Sequence, residues 1–405
     1  MQTGPSFRAR YDALVVGARA AGAATAMLLA RAGLSVLAVD RGRLGDDTLS
    51  THALMRGAVL QLHRWGLLRA LEAAGTPPIR SATFHYGEED IPIPIKPRDG
   101  IDALYAPRRT VLDPLLVRAA AAAGAEVVHG VAAIDLVRDA RGRVAGAVLA
   151  GADGSPTRVE ADIVIGADGI RSPIARLVGA PVERAGRSAT AVVYGHFAGL
   201  AQDGYHWYYR PGVSAGAIPT NDGRTCLFVA LPPARFLDEL PAGVDALYRR
   251  ILAEAAPEMA RAVARARLDS KLRSFPGAPG FLRRAWGPGW ALVGDAGYFK
   301  DPLTAHGLTD ALRDAELLAR AIVAGTDGAL AAYQATRDEV SLGLFEVTDR
   351  IASFAWDLEQ AKRDHHLLAR HMMGEAEMLL ALDREPTRAE AFSRVADARV
   401  EARCA

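Results

Sequence analysis

Blocks of apolar and polar positions alternate along this chain in a pattern that predicts strands followed by helices. A short apolar run at 13–16 precedes an alanine-rich segment at 20–31, and a second apolar run follows at 34–39. Short apolar runs are typical of buried strands, and a longer segment between them is typical of a helix. Gly33 stands where that helix would end. The pattern therefore predicts a β-α-β unit near the start of the chain.

The pattern continues with helices and short strands as far as about residue 183. It predicts helices over about 58–74 and 112–123, a strand at 126–128, a β-meander with turns at 139–142 and 153–156, and a buried strand at 162–165. From about residue 184 the chain becomes rich in strands, predicted at 191–197, 206–210 and 225–231. The helical stretch 244–266 is predicted to break at Pro257, because proline interrupts helices. A strand at 290–293 and helices from about 307 onward complete the prediction.

Composition narrows the class of protein. The chain has 405 residues, half of them hydrophobic, which is enough for a large core and two connected domains. A net charge of +1 indicates neither a nucleic-acid surface nor a polybasic membrane patch. The two cysteines, Cys226 and Cys404, do not form a disulfide framework, so we predict a cytoplasmic protein. Charged residues interrupt every apolar run before it reaches membrane-spanning length, so no membrane span is expected.

Candidate chemistry begins at the strand-to-helix turn between Gly17 and Gly22. The free N–H groups of a helix N-terminus, such as that of Ala21, stabilise a pyrophosphate, and glycine allows the tight turn and the close packing. The place of the usual middle glycine is taken by Arg19. At the end of the second strand stands Asp40, a candidate acceptor for ribose hydroxyls, and Arg41 follows it as a flank for the adenosine.

Two further motifs follow in a fixed order. Gly169 and the preceding Asp168 come directly after the apolar strand in mid-chain. The third motif consists of Gly294 and Asp295, followed by Pro302, Gly307 and Leu308 at the start of a predicted helix. Together, the three motifs would bring distant parts of the chain to one long cofactor, which points to FAD.

In these three motifs the chain resembles the p-hydroxybenzoate-hydroxylase-like FAD-dependent oxidoreductases. The resemblance implies that Asp168 lies near the flavin pyrophosphate and that Asp295 binds the ribityl chain. It also implies that the backbone after Pro302 lines the isoalloxazine, whose reduced form is stabilised by the helix start at Gly307. Arg109 is similar to the family arginine that approaches FAD, although the adjacent Arg108 is an alternative.

The resemblance also implies a fold and a domain plan. The fold class is α/β, with a Rossmann-like, glutathione-reductase-like FAD-binding domain, an interwoven mixed-sheet substrate domain and a helical C-terminal region. The expected FAD-binding parts are 1–80, 111–183 and 287–325; the substrate-domain parts are an insertion at 81–110 and the segment 184–286; the C-terminal helices are 326–405.

The chain departs from the family pattern where a nicotinamide donor approaches. The mid-chain family motif reads D-G-x-x-S-x-x-R. Here Ser172 matches, but Ala175 holds the arginine position and Arg176 comes one residue late. The sequence also has no second glycine-rich β-α-β unit for a nicotinamide nucleotide. NAD(P)H is therefore expected either to bind transiently at the FAD face or to serve a separate flavin reductase.

The leading functional prediction is a monooxygenase that hydroxylates or epoxidises an apolar or aromatic small molecule through a flavin C4a-hydroperoxide, using NAD(P)H and O₂. A base near the substrate would assist, and His306 and His52 are the leading catalytic candidates, with His196, His206 and Tyr298 as others. The aromatic run 206–210 is either a substrate wall or ordinary core.

Three alternatives stay open. The first is a flavin-dependent C=C reductase like the geranylgeranyl reductases, and the second is a flavin-dependent halogenase. The third is a flavin-binding protein without turnover, which the altered motifs would permit. Nothing in the sequence indicates the substrate or an oligomeric state.

Overall fold

The computed structural model of the protein describes residues 7–151, 154–200 and 203–382. Its helices are α1 (Ala20–Arg31), α2 (Arg56–Arg64), α3 (Leu68–Ala73), α4 (Arg109–Ala122), α5 (Pro173–Leu177), α6 (Pro233–Glu239), α7 (Val244–Ala255), α8 (Pro257–Val263), α9 (Gly307–Ala324), α10 (Asp327–Ala352) and α11 (Leu358–Leu382). Its strands are β1 (Arg10–Val16), β2 (Val36–Asp40), β3 (Ser81–Tyr86), β4 (Glu89–Pro94), β5 (Glu126–His129), β6 (Ala132–Arg138), β7 (Val144–Ala150), β8 (Pro156–Gly166), β9 (Val182–Ala185), β10 (Ala191–Ala198), β11 (Tyr205–Arg210), β12 (Val213–Thr220), β13 (Arg224–Leu231), β14 (Arg267–Leu268), β15 (Arg273–Phe275), β16 (Phe281–Arg283), β17 (Trp286–Gly287), β18 (Trp290–Leu292) and β19 (Tyr298–Phe299).

The first sheet has the strand order β17-β18-β8-β1-β2-β5. Its central pairs β18–β8, β8–β1, β1–β2 and β2–β5 are parallel, and β6 and β7 extend from β8 as an antiparallel meander. The inner strands are apolar on both faces because helices or the meander cover each side; Leu14 and Val15, on opposite faces of β1, are both fully buried. This is the predicted Rossmann-like sheet, and α1 packs between it and helices α4 and α9.

The second sheet has the order β14-β10-β13-β12-β11-β3-β4, with β15 also paired to β10. Strands β3 and β4 come from the segment 81–94 and join strands from much later in the chain, so two separated segments build one sheet. Alternate residues serve opposite faces. Val193 packs under α7 with Leu247, whereas Val192 and Tyr194 belong to the core shared with the first sheet.

The C-terminal helices cover the cofactor-side motifs from behind. Helix α9 packs against α1 and α2, α10 packs against α9, and α11 packs against α10 and α2. A small sheet of β19, β16 and β9 lies beside them. Among the described residues, no helix combines the length and the apolar character needed to span a membrane.

Most predicted elements are confirmed, and two of the differences have a clear physical reason. The helix predicted over about 58–74 is two helices, because the chain turns at Gly66, which has a φ of +77°. Strand β12 was missed because its small and proline-containing sequence, VSAGAIPT, lacks a strand pattern. Gly216 is needed there, since a Cβ would lie 2.3 Å from the Phe228 ring. The predicted break at Pro257 is confirmed. Part of the predicted C-terminal helical region, 383–405, lies outside the described residues.

Candidate functional site

A cavity of about 590 Å³ lies where the three sequence motifs meet, between the carboxyl ends of the first sheet and the inner face of the second. Ligands of open α/β sheets bind at this end of the strands. Of the residues predicted for the cofactor, those that line the cavity are Gly17, Arg19, Ala21, Asp40, Arg41, Arg109, Asp168, Gly169, Asp295, Pro302, Gly307 and Leu308. Gly22 and Gly294 support the walls from behind, and His306 does not reach the cavity.

The turn between β1 and α1 is shaped by close backbone contacts. Gly17 has a φ of +102°, and a Cβ there would lie 2.3 Å from the carbonyl oxygen of Ala167. A Cβ on Gly22 would lie 1.7 Å from the carbonyl oxygen of Gly17. Glycine is therefore required at both positions. Ala20 and Ala21, in the first turn of α1, line the cavity. First-turn amides have no partner within their own helix and suit an anion.

Asp40 holds this turn to the end of β2. One carboxylate oxygen accepts a hydrogen bond from the amide of Ala18 at 2.9 Å, and the other accepts one from the amide of Gly42 at 2.7 Å. Each oxygen keeps a second lone pair. The carboxylate is thus fixed in position at the cavity wall with acceptor capacity to spare.

Arg19 and Arg109 line the cavity beside that turn, and Asp113 pairs with both of them. Arg109 makes two parallel 2.9 Å hydrogen bonds to Asp113, one turn further along α4. The guanidinium of Arg19 lies 3.7 Å from the same carboxylate, so the side chain that replaces the usual glycine turns aside towards α4. Arg108 instead pairs with Asp47 and does not line the cavity. Of the two adjacent arginines, only Arg109 is therefore placed to contact a cavity ligand.

Asp168 also lines the cavity. One of its carboxylate oxygens accepts a 3.0 Å hydrogen bond from the amide of Ile174, and the other has no partner among the described residues. Burial raises the pKa of this carboxyl above its usual value. A buried oxygen without a partner is expected where a ligand donates the missing hydrogen bond. Ala175 is buried and Arg176 is exposed outside the cavity, so the shifted arginine does not reach the site.

Asp295 is a further carboxylate in the cavity lining. No described residue donates a hydrogen bond to its carboxylate, and burial, reinforced by Asp310, raises its pKa to about 6. Further along the chain, Asp301 caps the turn 302–304, because its carboxylate accepts a hydrogen bond from the amide of Leu303. Ala305, which follows the turn, has a left-handed φ of +50°. This turn brings the N-terminus of α9 to the cavity. The cavity is thus open to two helix N-termini, which suit a pyrophosphate and a reduced flavin ring.

His306 lies behind the cavity in a fully buried ionic cluster. Its Nε2 is 2.8 Å from a carboxylate oxygen of Glu375, which belongs to α11. The cluster consists of Lys300, His306, Asp310, Arg313, Asp314 and Glu375, joined by hydrogen bonds and ion pairs. Sequence reasoning missed Glu375, Arg313 and Asp310, because charges on a helical pattern usually indicate a solvated face. Only the spacing of Asp310 and Arg313 on the apolar face of α9 hinted at burial, and Glu375, on α11, gave no such sign.

His52 lines the cavity and has a φ of +70°, which few side chains adopt. Its Nε2 lies 2.9 Å from Nε2 of His196 on β10, and the rings are 5.1 Å apart between centroids at 25°. Burial lowers the pKa of His196 to about 4 and that of His52 well below its usual value, so both rings are neutral at pH 7. They therefore share one N–H···N hydrogen bond.

Two groups of side chains bring metal-ligating atoms within 4.8 Å of one another. In His52, His196 and Cys226, the two imidazole nitrogens already share a proton, and the positive charges of Arg108 and Arg273 disfavour a cation. In His306, Asp310 and Glu375, the carboxylates are neutralised by Lys300 and Arg313. We therefore assign neither group to a metal ion.

The far end of the cavity is apolar and lies under the second sheet. It is walled by Val192 and Tyr194 of β10, by Phe275 and by Phe299, with the loop 48–51 across the opening. The hydroxyl of Tyr194 accepts a 3.2 Å hydrogen bond from the amide of Ser50, which ties this loop to the sheet. No residue of the aromatic run 206–210 lines the cavity; its inward side chains, including Trp207, are core.

The family comparison agrees with this geometry. The chain belongs to the FAD binding domain family, which matches residues 10–347. The protein is therefore an FAD-dependent oxidoreductase of the superfamily that the sequence motifs indicated, and FAD is its cofactor.

Several relatives show how widely that family varies. The menaquinone reductase of Mycolicibacterium smegmatis is 29% identical over 344 residues, which cover 78% of this chain and 77% of that one. The 6-methylpretetramide 4-monooxygenase of Streptomyces rimosus is 28% identical over 325 residues, covering 77% and 75%. A probable electron transfer flavoprotein-quinone oxidoreductase of Escherichia coli, YdiS, is 33% identical over 186 residues, but this chain spans only 39% of its length.

A solved structure supports the fold. The structure of the flavin-dependent brominase Bmp2 has a TM-score of 0.77 to this chain at 21% identity, and the likeness covers 97% of this chain and 100% of that one. At this identity the likeness shows the fold.

Proposed function

We propose that this protein is an FAD-dependent monooxygenase that hydroxylates or epoxidises an apolar or aromatic small molecule. The observation that carries the proposal is the continuity of the cavity: its polar section, around Asp40 and Asp295, runs directly into an apolar section under Val192 and Tyr194. A substrate in the apolar section would lie against the flavin ring, enclosed on the opposite side by the sheet. The relatedness to a named monooxygenase supports the same reaction class.

The residues present fit FAD along the whole cavity. Asp40 and Arg41 would hold the adenosine half, and the first-turn amides of α1 with Arg109 would hold the pyrophosphate. The unpartnered oxygen of Asp168 and the free carboxylate of Asp295 would accept hydroxyl donors of the sugar and ribityl parts. Residues 302–308 would line the isoalloxazine at the N-terminus of α9. Bound FAD supplies the activation of O₂ that the side chains of this chain cannot perform.

The protein's own contribution is enclosure and proton transfer. Val192, Tyr194 and Phe299 exclude water from the apolar section. Nε2 of His52 is hydrogen-bonded to His196, and its Nδ1 has no partner among the described residues. When Nε2–H of His52 donates to His196, Nδ1 carries the free lone pair and would accept the proton of a substrate hydroxyl. His306 is buried behind the cavity and takes no direct part.

The main rival is a reductase of a C=C bond or a quinone, which the similarity to the menaquinone reductase favours. The same apolar section would take such a substrate, but no oxygen would enter the product. Halogenation ranks below both. Flavin-dependent halogenases use a lysine amine, and the amine of Lys300, which stands between Asp295 and Pro302 in the third motif, is held in an ion pair with Asp310.

One experiment separates these reactions. FAD-loaded protein is incubated with NADH or NADPH, with and without a general flavin reductase, and with panels of phenols, polycyclic aromatics, alkenes and quinones under isotopically labelled O₂. The proposal predicts a product that carries one labelled oxygen. A product that gains two hydrogens and no label identifies a reductase, and a halogenated product formed with added halide identifies a halogenase.

The reductant and the location remain predictions. The place of Arg176 outside the cavity favours transient NAD(P)H binding or a separate flavin reductase over a dedicated nicotinamide site. The buried thiol of Cys226 and the scarcity of cysteine suit the reducing cytoplasm.

A further inference from the structure

Glu375 connects the C-terminal helix to the cofactor motif. Its two carboxylate oxygens are used separately: one is 2.8 Å from Nε2 of His306, and the other accepts a 2.8 Å hydrogen bond from Nη1 of Arg313. Helix α11 begins some 50 residues after the end of the third motif, yet Glu375 is only 1% exposed and pairs with residues of α9 and its N-terminus. A buried carboxylate with both oxygens paired is costly to place and is expected to have a purpose.

The cluster extends from Glu375 to the cavity wall in three steps. Arg313 also donates a 3.1 Å hydrogen bond to Asp310, and the other oxygen of Asp310 binds the amine of Lys300. Lys300 lines the cavity, as do Gly307 and Leu308 directly after His306. The cluster therefore lies beneath the stretch of backbone proposed to line the flavin ring.

The cluster brings charges of both signs close to the cavity wall. Lys300 and Arg313 are cations, whereas Asp310, Asp314 and Glu375 are carboxylates. Burial alone would raise the pKa of Glu375, but the neighbouring His306, Arg313 and Lys300 lower it to about 2, so Glu375 is ionised. Little water reaches these groups, so their charges are weakly screened and act at the cavity wall.

We propose that Glu375 is a positioning residue for bound FAD that acts through His306 and the Arg313–Asp310–Lys300 chain, orienting the N-terminus of α9 and lowering the reduction potential of the flavin. Two-electron reduction with uptake of one proton leaves one added negative charge on the ring. A buried carboxylate beneath the ring opposes that charge, whereas the ammonium of Lys300 favours it. The inference rests on the proposed placement of the ring by residues 302–308, and it holds whether the reaction is oxygenation or reduction.

The test is the reduction potential of the FAD-loaded protein, measured by reduction with xanthine and xanthine oxidase beside a reference dye. Glu375→Gln keeps the size of the side chain and removes one negative charge, so the potential should rise. Lys300→Met removes one positive charge, so the potential should fall. Opposite shifts from two substitutions in one cluster are not expected from loosened packing, which would move both in the same direction.

Asp364→Asn is the matched control. Asp364 is a buried carboxylate on the same helix, but it pairs with Arg350 and Gln360 outside the cluster, so its variant should keep the wild-type potential. The FAD content of each variant is read from its visible absorbance. If Glu375→Gln does not retain FAD, Lys300→Met is compared with Lys300→Arg, which keeps the charge and should keep the potential.

Two results would overturn the inference: shifts of the same sign for Glu375→Gln and Lys300→Met, or a Glu375→Gln potential equal to that of Asp364→Asn. If Glu375→Gln does not retain FAD, equal reduction potentials for Lys300→Met and Lys300→Arg would overturn the inference. Failure of the proposed reaction is a separate result, since the potential is measured without substrate. Misplacement of the ring would be seen in a structure of the FAD complex.

Discussion

Nε2 of His52 lies 2.9 Å from Nε2 of His196, which joins the loop after β2 to strand β10 of the second sheet across the cavity wall. Each histidine comes from a different layer of the fold, so their hydrogen bond ties the two layers together beside the cavity. Both rings are neutral because burial, together with Arg108, lowers their pKa values. Of the two, His52 lines the cavity, so it is the candidate proton acceptor that would face a substrate.

Substitution at this pair should separate proton transfer from flavin reduction. With a hydroxylated substrate found by the product screen, His52→Phe should slow product formation by about 100-fold, because general-base catalysis is lost. His196→Phe should have a smaller effect in the same direction, since His52 remains. The rate of flavin reduction should not change in either variant. His206→Phe is the control, because His206 makes the same type of imidazole pair with His85 but lies outside the cavity. An unchanged product rate in His52→Phe would contradict the assigned role.

FAD binding should depend on pH through Asp295. Burial raises the pKa of this carboxyl to about 6 in the FAD-free protein, and its ionised form accepts hydroxyl donors better than the protonated form. The affinity for FAD should therefore increase as the pH rises through about 6. The dissociation constant, measured by quenching of flavin fluorescence between pH 5 and pH 8, should show this step in the wild type and lose it in Asp295→Asn. If the dissociation constant of Asp295→Asn showed an equal change with pH, the pH dependence would belong to another group.

A single methyl group should abolish the pyrophosphate site. In Gly22→Ala the new Cβ would lie 1.7 Å from the carbonyl oxygen of Gly17, so the turn and the first amides of α1 must move. We expect loss of FAD binding by at least about 100-fold, equivalent to about 3 kcal/mol. Gly328→Ala, in the first turn of α10, is the control, because the nearest atom to its Cβ is 3.9 Å away. Normal FAD content in Gly22→Ala would show that the turn does not hold the cofactor.

His365 should make the fold sensitive to acid. Burial lowers its pKa to about 4, below the usual 6.5, and its Nδ1 lies 3.0 Å from the hydroxyl oxygen of Tyr86. Below pH 6.5 the unfolded chain takes up a proton that the folded chain refuses, so stability falls with pH down to about 4. Between pH 7 and pH 5 this costs about 2 kcal/mol. The midpoint of urea unfolding should fall less between pH 7 and pH 5 in His365→Phe than in the wild type. His366→Phe, at the adjacent exposed position, should show the same fall as the wild type. An equal drop in all three proteins would contradict the assignment.

The sequence predicted the parts of the site that depend on backbone geometry. Gly17, Asp40 and Asp295 stand at fixed offsets from apolar strands, and the parallel sheet brings strand ends to one edge, so their convergence follows from order and spacing. Side-chain pairing did not follow in the same way. The link between His306 and Glu375 depends on how α11 packs behind α9, and a charged residue on a long helix gives no local sign of its partner.

The second sheet shows the same limit at the level of the fold. Strand β12 contains Gly216 because Phe228 and Trp207 occupy the space above it, which is a tertiary reason that a local pattern does not carry. The substrate wall was likewise open to two interpretations in the sequence. Trp207, on β11, lies in the core. The cavity wall is formed instead by Val192 and Tyr194 of the preceding strand, β10.

The most direct test of the account is a crystal structure of the protein with FAD bound. The account predicts the adenosine at Asp40, the pyrophosphate at the first turn of α1 beside Arg109, and the isoalloxazine along 302–308 with Val192 and Tyr194 across from it. A flavin ring outside the apolar section, or an adenosine half away from Asp40, would contradict it.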